Sequence, residues 1–180
     1  MAKTSRILLT GFMGCGKSAV GQILASILSK KFIDLDKTIE DLHNLTVEQI
    51  FAQSGEDAFR QLETSTLVTL PENVVCALGG GTLMREENLQ WALHHGHVLY
   101  LSASTAELVA RLIKDPTVRP LLRQHDGESL SEKVMEERVE RLLSNREPVY
   151  SLAHHTLNTD GLTPAEVAHL CARVYRNLKE

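Results

Sequence analysis

A glycine-rich segment near the start of the chain carries the residues best suited to hold phosphate. Residues 11–18 read Gly-Phe-Met-Gly-Cys-Gly-Lys-Ser, which fits the spacing Gly, four residues, Gly-Lys-Ser/Thr. Glycines let the backbone curl so that its N–H groups point at phosphate oxygens, and the helix that follows adds its positive N-terminal end. Lys17 would bridge the β- and γ-phosphates and the Ser18 hydroxyl would bind Mg²⁺. The segment predicts a site for a nucleoside triphosphate with Mg²⁺.

Two carboxylates are candidates for the chemistry on an acceptor molecule. Asp34 and Asp36 follow an apolar pair with one residue between them. On an extended backbone their side chains would point to opposite sides, one toward the metal and one toward the acceptor. A carboxylate beside the acceptor hydroxyl could orient it and take its proton. The other interpretation of Asp36, as the N-cap of the following helix, is compatible with this role.

Arg60 and the glycines of residues 79–81 are candidates for binding the acceptor. Arg60 lies one helical turn before Glu63, so the two form either a surface ion pair or a unit in which Glu63 orients the guanidinium toward a substrate carboxylate. Three consecutive glycines weaken local order, which favours close approach of a ligand to the backbone over a plain turn. Cys15 either fills space or has a thiol pKa lowered by the positive loop.

The elements that would position these residues form an alternating α/β pattern. Short apolar runs at residues 7–9, 32–33, 74–78 and 98–101 predict strands covered on both faces, as in a parallel sheet. Capping boxes predict helix starts at Thr46, Ser104, Ser129 and Thr163. The polar, turn-rich stretch at about residues 114–128 predicts a lid.

Length and composition describe one ordinary domain. The chain has 180 residues, of which 43% are hydrophobic, so residues 1–180 are expected to form a single domain. A net charge of −4 provides no basic field for nucleic acid. Three widely separated cysteines and the lack of a long apolar run favour a cytoplasmic protein with no disulfide framework and no membrane contact. We expect a monomer.

The ordered set of motifs resembles the shikimate kinase family, and the resemblance extends nearly from end to end. It is carried by residues 11–18, 34–36, Gly55, Glu56, Phe59, Arg60, Glu63, 78–81, 119–122 and 146–150. The resemblance implies a three-layer P-loop kinase fold like that of nucleoside monophosphate kinases, with a five-stranded parallel sheet in the order 2-3-1-4-5, flanking helices and a lid. It also implies transfer of the ATP γ-phosphate to the 3-hydroxyl of shikimate, a step of chorismate and aromatic amino acid biosynthesis.

The resemblance also implies roles for individual residues. Asp36, Lys17 and Arg119 would be catalytic, with Asp36 as the base and Arg119 acting from the lid. Ser18 and Asp34 would hold Mg²⁺. The acceptor would contact Asp36, Arg60, Glu63, Gly80, Gly81 and Arg146, with both arginines on its carboxylate. ATP would contact Gly14, Cys15, Gly16, Lys17, Ser18, Ala19 and Arg119, and its adenine would pack between Arg111 and Pro164.

Two other functions are compatible with a phosphate-binding loop. One is a kinase of similar size for a nucleoside monophosphate or for a sugar acid such as gluconate. The other is a nucleotide-dependent switch without an acceptor, which would leave Asp36, Arg60 and Arg146 without a role. Two arginines and one aspartate describe a small hydroxylated carboxylate better than a nucleobase.

Overall fold

The computed structural model describes residues 5–114 and 131–177. The elements follow one another as β1 (Ile7–Thr10), α1 (Lys17–Ile27), β2 (Lys31–Asp34), α2 (Leu35–His43), α3 (Val47–Leu67), β3 (Val74–Ala77), a 3₁₀ turn (Thr82–Met84), α4 (Glu86–His95), β4 (His97–Ser102), α5 (Thr105–Lys114), α6 (Glu132–Tyr150), β5 (His155–Asn158) and α7 (Pro164–Asn177). Within these residues the five strands form one parallel sheet in the order β2-β3-β1-β4-β5. The α/β fold and the strand order are confirmed.

The sheet is covered on both faces, which gives three layers. On β1, Ile7 and Leu9 belong to one hydrophobic core and Leu8 to the other, because successive side chains of a strand point to opposite faces. Helices α1, α5, α6 and α7 contribute to the first core, whereas α2, α3 and α4 contribute to the second. Continuous apolar strands are therefore explained by burial on both sides.

Most of the predicted helix starts are confirmed. Thr46 and Gln49 form a complete capping box at α3. The Ser104 hydroxyl accepts from the Glu107 N–H at α5, and Thr163 and Glu166 bond reciprocally at α7. Ser129 lies outside the described residues. The lid assigned to about residues 114–128 also lies outside them, except for Lys114 at the end of α5.

The conformation at Asp34 and Asp36 differs from the prediction. Asp34 ends β2 and is itself the N-cap of α2, where its Oδ1 accepts from the Lys37 N–H at 3.2 Å. Asp36 therefore lies in the first turn of the helix, and the proposals of an extended pair and of an Asp36 cap are wrong. The turn of the helix, not strand alternation, separates the two carboxylates.

Strand β5 could not be recognised from its residues. Among the described residues, His155–Asn158 pairs only with β4, and one of its four residues, Leu157, is buried, so it lacks the apolar run of the inner strands. His154, just before this strand, uses Nδ1 to accept from the Val98 N–H at 3.0 Å. In residues 5–114 and 131–177, no helix has the length and apolar character needed to cross a membrane.

Candidate active site

The phosphate-binding loop connects β1 to α1 at the carboxyl edge of the sheet. Gly14 and Gly16 have φ values of 83° and 95°, a region that favours glycine. The Lys17 ammonium donates to the carbonyls of Gly11 and Phe12 at 2.9 and 3.0 Å, which holds it inside the loop. The backbone therefore has the curled form that the motif requires, with its lysine at the centre.

A hydroxyl and a carboxylate lie together beside this loop. The Ser18 Oγ donates to Asp34 Oδ2 at 2.5 Å, while Asp34 Oδ1 is held by its capping bond to α2. Hard oxygen donors of this kind suit Mg²⁺, which is commonly bound by one or two protein oxygens, substrate phosphates and water. No cluster of three His, Cys, Asp or Glu side chains suited to a metal occurs in the described part of the chain. Ser18 and Asp34 fit the metal role predicted for them.

Two adjoining cavities open at this edge of the sheet. The smaller cavity, of about 350 Å³, is lined by Gly14, Gly16, Lys17, Ser18, Ala19 and Arg111. The larger, of about 570 Å³, contains Arg60, Glu63, Gly81 and Arg146. Four residues line both: Met13, Asp34, Asp36 and Gly80. The predicted phosphate-binding and acceptor-binding residues are thus separated into neighbouring cavities, with Asp36 at their border.

The Asp36 carboxyl group has an unusual environment. Its Oδ1 is buried and has no hydrogen-bond partner among the described residues. Burial, followed by repulsion from Glu63 and Asp34, raises the pKa of Asp36 to about 7, against the attraction of Lys17 and Arg60. An unpaired acceptor with a pKa near neutrality is what proton transfer to a carboxylate requires.

Arg60 and Glu63 form a buried unit, so the interpretation as a surface ion pair is wrong. Arg60 Nη1 donates to Glu63 Oε2 at 2.5 Å, and Glu63 is fully buried. Arg60 Nη2 and Nε donate to Glu56 Oε1 at 2.7 and 3.2 Å. The Arg60 and Glu63 side chains both line the larger cavity. Helix α3 is kinked before them at Gly55, whose φ of 81° suits glycine. Two of the five N–H groups of Arg60 remain for an acceptor.

The three glycines of residues 79–81 have different causes. A Cβ on Gly79 would lie 2.5 Å from Glu63 Oε1 and 2.6 Å from Asp36 Oδ1. A Cβ on Gly81 would lie 2.6 Å from the Arg60 guanidinium. A Cβ on Gly80 would have only ordinary contacts, the nearest at 3.5 Å. Gly79 and Gly81 therefore make room for side chains of the protein. The sequence interpretation had instead explained the three glycines by the close approach of a ligand.

Arg146 approaches the same cavity from α6. Its Nη1 donates to the Gly80 carbonyl at 3.2 Å, and its guanidinium lies 5.8 Å from the centre of the Phe12 ring. No carboxylate forms a salt bridge with Arg146 within the described residues. Its positive charge is therefore less compensated than that of Arg60, and it faces a cavity.

Of the two residues predicted to contact adenine, only Arg111 lies at the site. Arg111 lines the smaller cavity, where its Nη2 donates to the Thr159 carbonyl at 2.8 Å and its Nε to Glu107 at 2.8 Å. Pro164 begins α7 at the surface and lines neither of the two cavities. Arg119 lies outside the described residues. Cys15 is buried, which agrees with a space-filling side chain.

Two residues of this region were missed by the sequence interpretation. Thr82 is fully buried and donates from Oγ1 to Glu63 Oε1 at 2.5 Å, so both oxygens of Glu63 accept hydrogen bonds. Tyr150 is buried and donates to the Gly80 carbonyl. Tyr150 falls four residues after Arg146, a spacing that places both on one face of a helix and could have indicated the pair.

Comparisons with known proteins agree on one family. A family model described as shikimate kinase matches residues 13–176. The shikimate kinase of Chlorobium chlorochromatii is 41% identical over 180 residues, which cover 97% of this chain and 94% of that protein. The structure of the Acinetobacter baumannii shikimate kinase in complex with shikimate has a TM-score of 0.87 and 31% identity, and covers 98% of this chain and 96% of that one. The structure from Bacteroides thetaiotaomicron has a TM-score of 0.86 and 30% identity, with coverages of 97% and 98%.

Proposed function

Since the chain belongs to the shikimate kinase family, we propose that it transfers the γ-phosphate of ATP to the 3-hydroxyl of shikimate. The products are shikimate 3-phosphate and ADP. The observation that carries the proposal is the pair of adjoining cavities, one lined by the phosphate-binding loop and the other by two arginines, with the Asp36 carboxylate at their border. This arrangement would present an acceptor hydroxyl to the terminal phosphate.

The phosphates would lie on the loop of residues 11–18. Lys17 supports this role because its ammonium is held by loop carbonyls at the centre of the curl. Mg²⁺ would be held by Ser18 Oγ and by Asp34, the latter through a direct or water-mediated contact. When bound, Mg²⁺ neutralises charge on the phosphate oxygens. From the sequence resemblance, Arg119 would add positive charge at the transferred group.

The acceptor would be oriented by its carboxylate and activated at its hydroxyl. Arg146 and Arg60 would bind the carboxylate, and Gly80 and Gly81 would line the ring beside them. Glu63, which lines the same cavity, would orient Arg60, and Thr82 holds Glu63 in turn. Asp36 would accept the proton of the 3-hydroxyl, supported by its buried Oδ1 and its raised pKa.

The setting of the enzyme follows the same family expectation. We propose a cytoplasmic monomer, which agrees with three buried free cysteines and the negative net charge. Its organic partners would be shikimate and ATP, with no nucleic acid.

The proposal is tested by identifying the product. With ATP, Mg²⁺ and shikimate, we expect one equivalent of ADP for each new phosphate ester, which NMR should locate on the 3-hydroxyl. Lys17→Met should abolish this product while its thermal unfolding stays cooperative, because among the described residues the Lys17 ammonium contacts only groups of its own loop: the Gly11 and Phe12 carbonyls and the Cys15 sulfur. A phosphate ester at another hydroxyl, or full activity in Lys17→Met, would contradict the proposal.

A further inference from the structure

The Gly80 carbonyl accepts two hydrogen bonds from α6. Arg146 Nη1 and the Tyr150 hydroxyl both donate to it, from positions four residues apart on one helix. Gly80 lines both cavities, so its carbonyl lies where the phosphate-binding and acceptor-binding regions meet. A contact that restrains this carbonyl also restrains the position of the Arg146 guanidinium.

The guanidinium of Arg146 has few other restraints. Besides the Gly80 carbonyl, its contacts within the described residues are the face of Phe12 and the Tyr150 hydroxyl. It has no carboxylate partner there, whereas Arg60 is held by both Glu56 and Glu63. The Gly80 carbonyl and the Tyr150 hydroxyl therefore orient Arg146 together, and their positions decide what the remaining N–H groups can reach.

Tyr150 is well placed to set that orientation. Its side chain is 1% exposed and its ring packs against Tyr100, with 5.1 Å between ring centres. A packed aromatic ring has little freedom, so its hydroxyl is a rigid donor. Burial raises the pKa of Tyr150 to about 12, against the effect of Arg146, so the hydroxyl keeps its proton throughout the neutral range.

We propose that Tyr150 is a positioning residue which, through the Gly80 carbonyl and its own contact with the guanidinium, holds Arg146 in the orientation that binds the acceptor carboxylate. The inference rests on the proposed function, because it presupposes an acceptor that carries a carboxylate. Tyr150 acts through Arg146 and Gly80 without contact with the acceptor. Its loss should weaken acceptor binding more than it slows phosphate transfer.

The test compares Tyr150→Phe with Tyr100→Phe. Both substitutions keep the ring and remove one buried hydroxyl, but the Tyr100 hydroxyl faces Glu147 at 3.5 Å and not Gly80. For Tyr150→Phe we expect the KM for shikimate to rise about 3- to 10-fold, the effect of one buried hydrogen bond, with kcat and the KM for ATP nearly unchanged. Tyr100→Phe should leave all three constants near wild type.

Two further measurements separate positioning from a general loss of structure. For a shikimate analogue without the carboxylate, Tyr150→Phe should change the KM less than about twofold, since Arg146 has no carboxylate to bind there. In an Arg146→Lys background, removal of the Tyr150 hydroxyl should likewise have little further effect on shikimate. A merely structural role would raise the KM of shikimate and of the analogue equally and would persist in the Arg146→Lys background.

The result also distinguishes the inference from the proposed function. If wild type does not phosphorylate shikimate, the proposed function fails first. If wild type phosphorylates shikimate but Tyr150→Phe leaves the KM for shikimate unchanged, the positioning role of Tyr150 is wrong while the proposed function stands. The same conclusion follows if Tyr150→Phe raises the KM for the analogue as much as the KM for shikimate.

Discussion

At the scale of single residues, Asp36 is the side chain whose environment departs most from that of an ordinary surface carboxyl. A Cβ on Gly79 would lie 2.5 Å from Glu63 Oε1 and 2.6 Å from Asp36 Oδ1. These two oxygens are therefore no more than about 5 Å apart, close enough for their charges to repel. Glu63 is the better stabilised anion, because both of its oxygens accept hydrogen bonds. Asp36 therefore keeps its proton up to about pH 7.

This predicts opposite effects of Asp36→Asn on activity and on stability. In the unfolded chain Asp36 loses its proton near pH 3.8 and in the folded protein near 7, so wild type loses stability as pH rises between these values. Asparagine has no charge to bury, so the variant should be about 2–4 kcal/mol more stable than wild type at pH 8, with the gain fading toward pH 4. Turnover should fall by about 10²-fold or more.

Urea unfolding at pH 4.5 and pH 8 measures this difference. Asp41→Asn is the matched control, because Asp41 lies on the same helix with its side chain 66% exposed and paired with Lys37. Its stability should change little at either pH. If Asp36→Asn is no more stable than wild type at pH 8, the folded protein does not destabilise the ionised Asp36 carboxylate.

The two arginines should also behave differently when removed. Arg146→Ala removes a charge that has no carboxylate partner among the described residues. We expect kcat/KM for shikimate to fall about 30-fold or more, while the free energy of unfolding changes little. Arg60→Ala leaves Glu63 buried without its cation, and we expect a loss of about 3–5 kcal/mol in the free energy of unfolding besides weaker binding.

Kinetics on shikimate and on an analogue without the carboxylate, together with chemical unfolding, check this contrast. The analogue should be a poor substrate of wild type and should lose little more in either arginine variant. If Arg146→Ala slows the analogue as severely as shikimate, Arg146 does not recognise the carboxylate.

At the scale of elements, the loop after β3 is shaped by the side chains it passes. We expect Gly79→Ala to destabilise the protein most, because its Cβ would meet the buried oxygens of Glu63 and Asp36. Gly81→Ala should chiefly displace the Arg60 guanidinium and raise the KM for shikimate, since a flexible side-chain end can move aside. Gly80→Ala should be the least destabilising of the three, because its Cβ has room.

Thermal unfolding of the three alanine variants measures this order. Residues 79–81 are not at positive φ, so alanine is compatible with the backbone and contact alone decides the ranking. Equal losses of stability in all three variants would mean that the loop needs glycine for conformational freedom and not for space.

Much of the element plan was accessible from the sequence because it depends on local signals. Continuous apolar runs identified β1, β3 and β4, and paired cap residues identified the starts of α3 and α7. Strand β5 was not predicted, because a strand at the edge of the sheet needs no continuous apolar run. The wrong prediction of a cap at Asp36 shows the limit of local signals, since both aspartates can cap a helix and the structure uses Asp34.

At the scale of the whole molecule, the candidate site combines local and long-range information. The loop of residues 11–18 was accessible from spacing alone, because one segment supplies all its groups. The contacts of Thr82 with Glu63 and of Tyr150 with Gly80 join residues 19 and 70 positions apart. No local pattern predicts such contacts, which arise only when the sheet brings α3, the loop after β3 and α6 to one edge.

The central claim is that this edge of the sheet phosphorylates a small hydroxylated carboxylate and not a nucleotide. It is tested most directly by a coupled assay of ADP release with Mg-ATP and, in turn, shikimate, gluconate, AMP and CMP as acceptors. The account predicts rapid release with shikimate and a kcat/KM at least about 100-fold lower for each of the others, since none of them presents a ring hydroxyl to Asp36 while its carboxylate meets Arg146. Background release with shikimate, alongside turnover of AMP, CMP or gluconate, would contradict it.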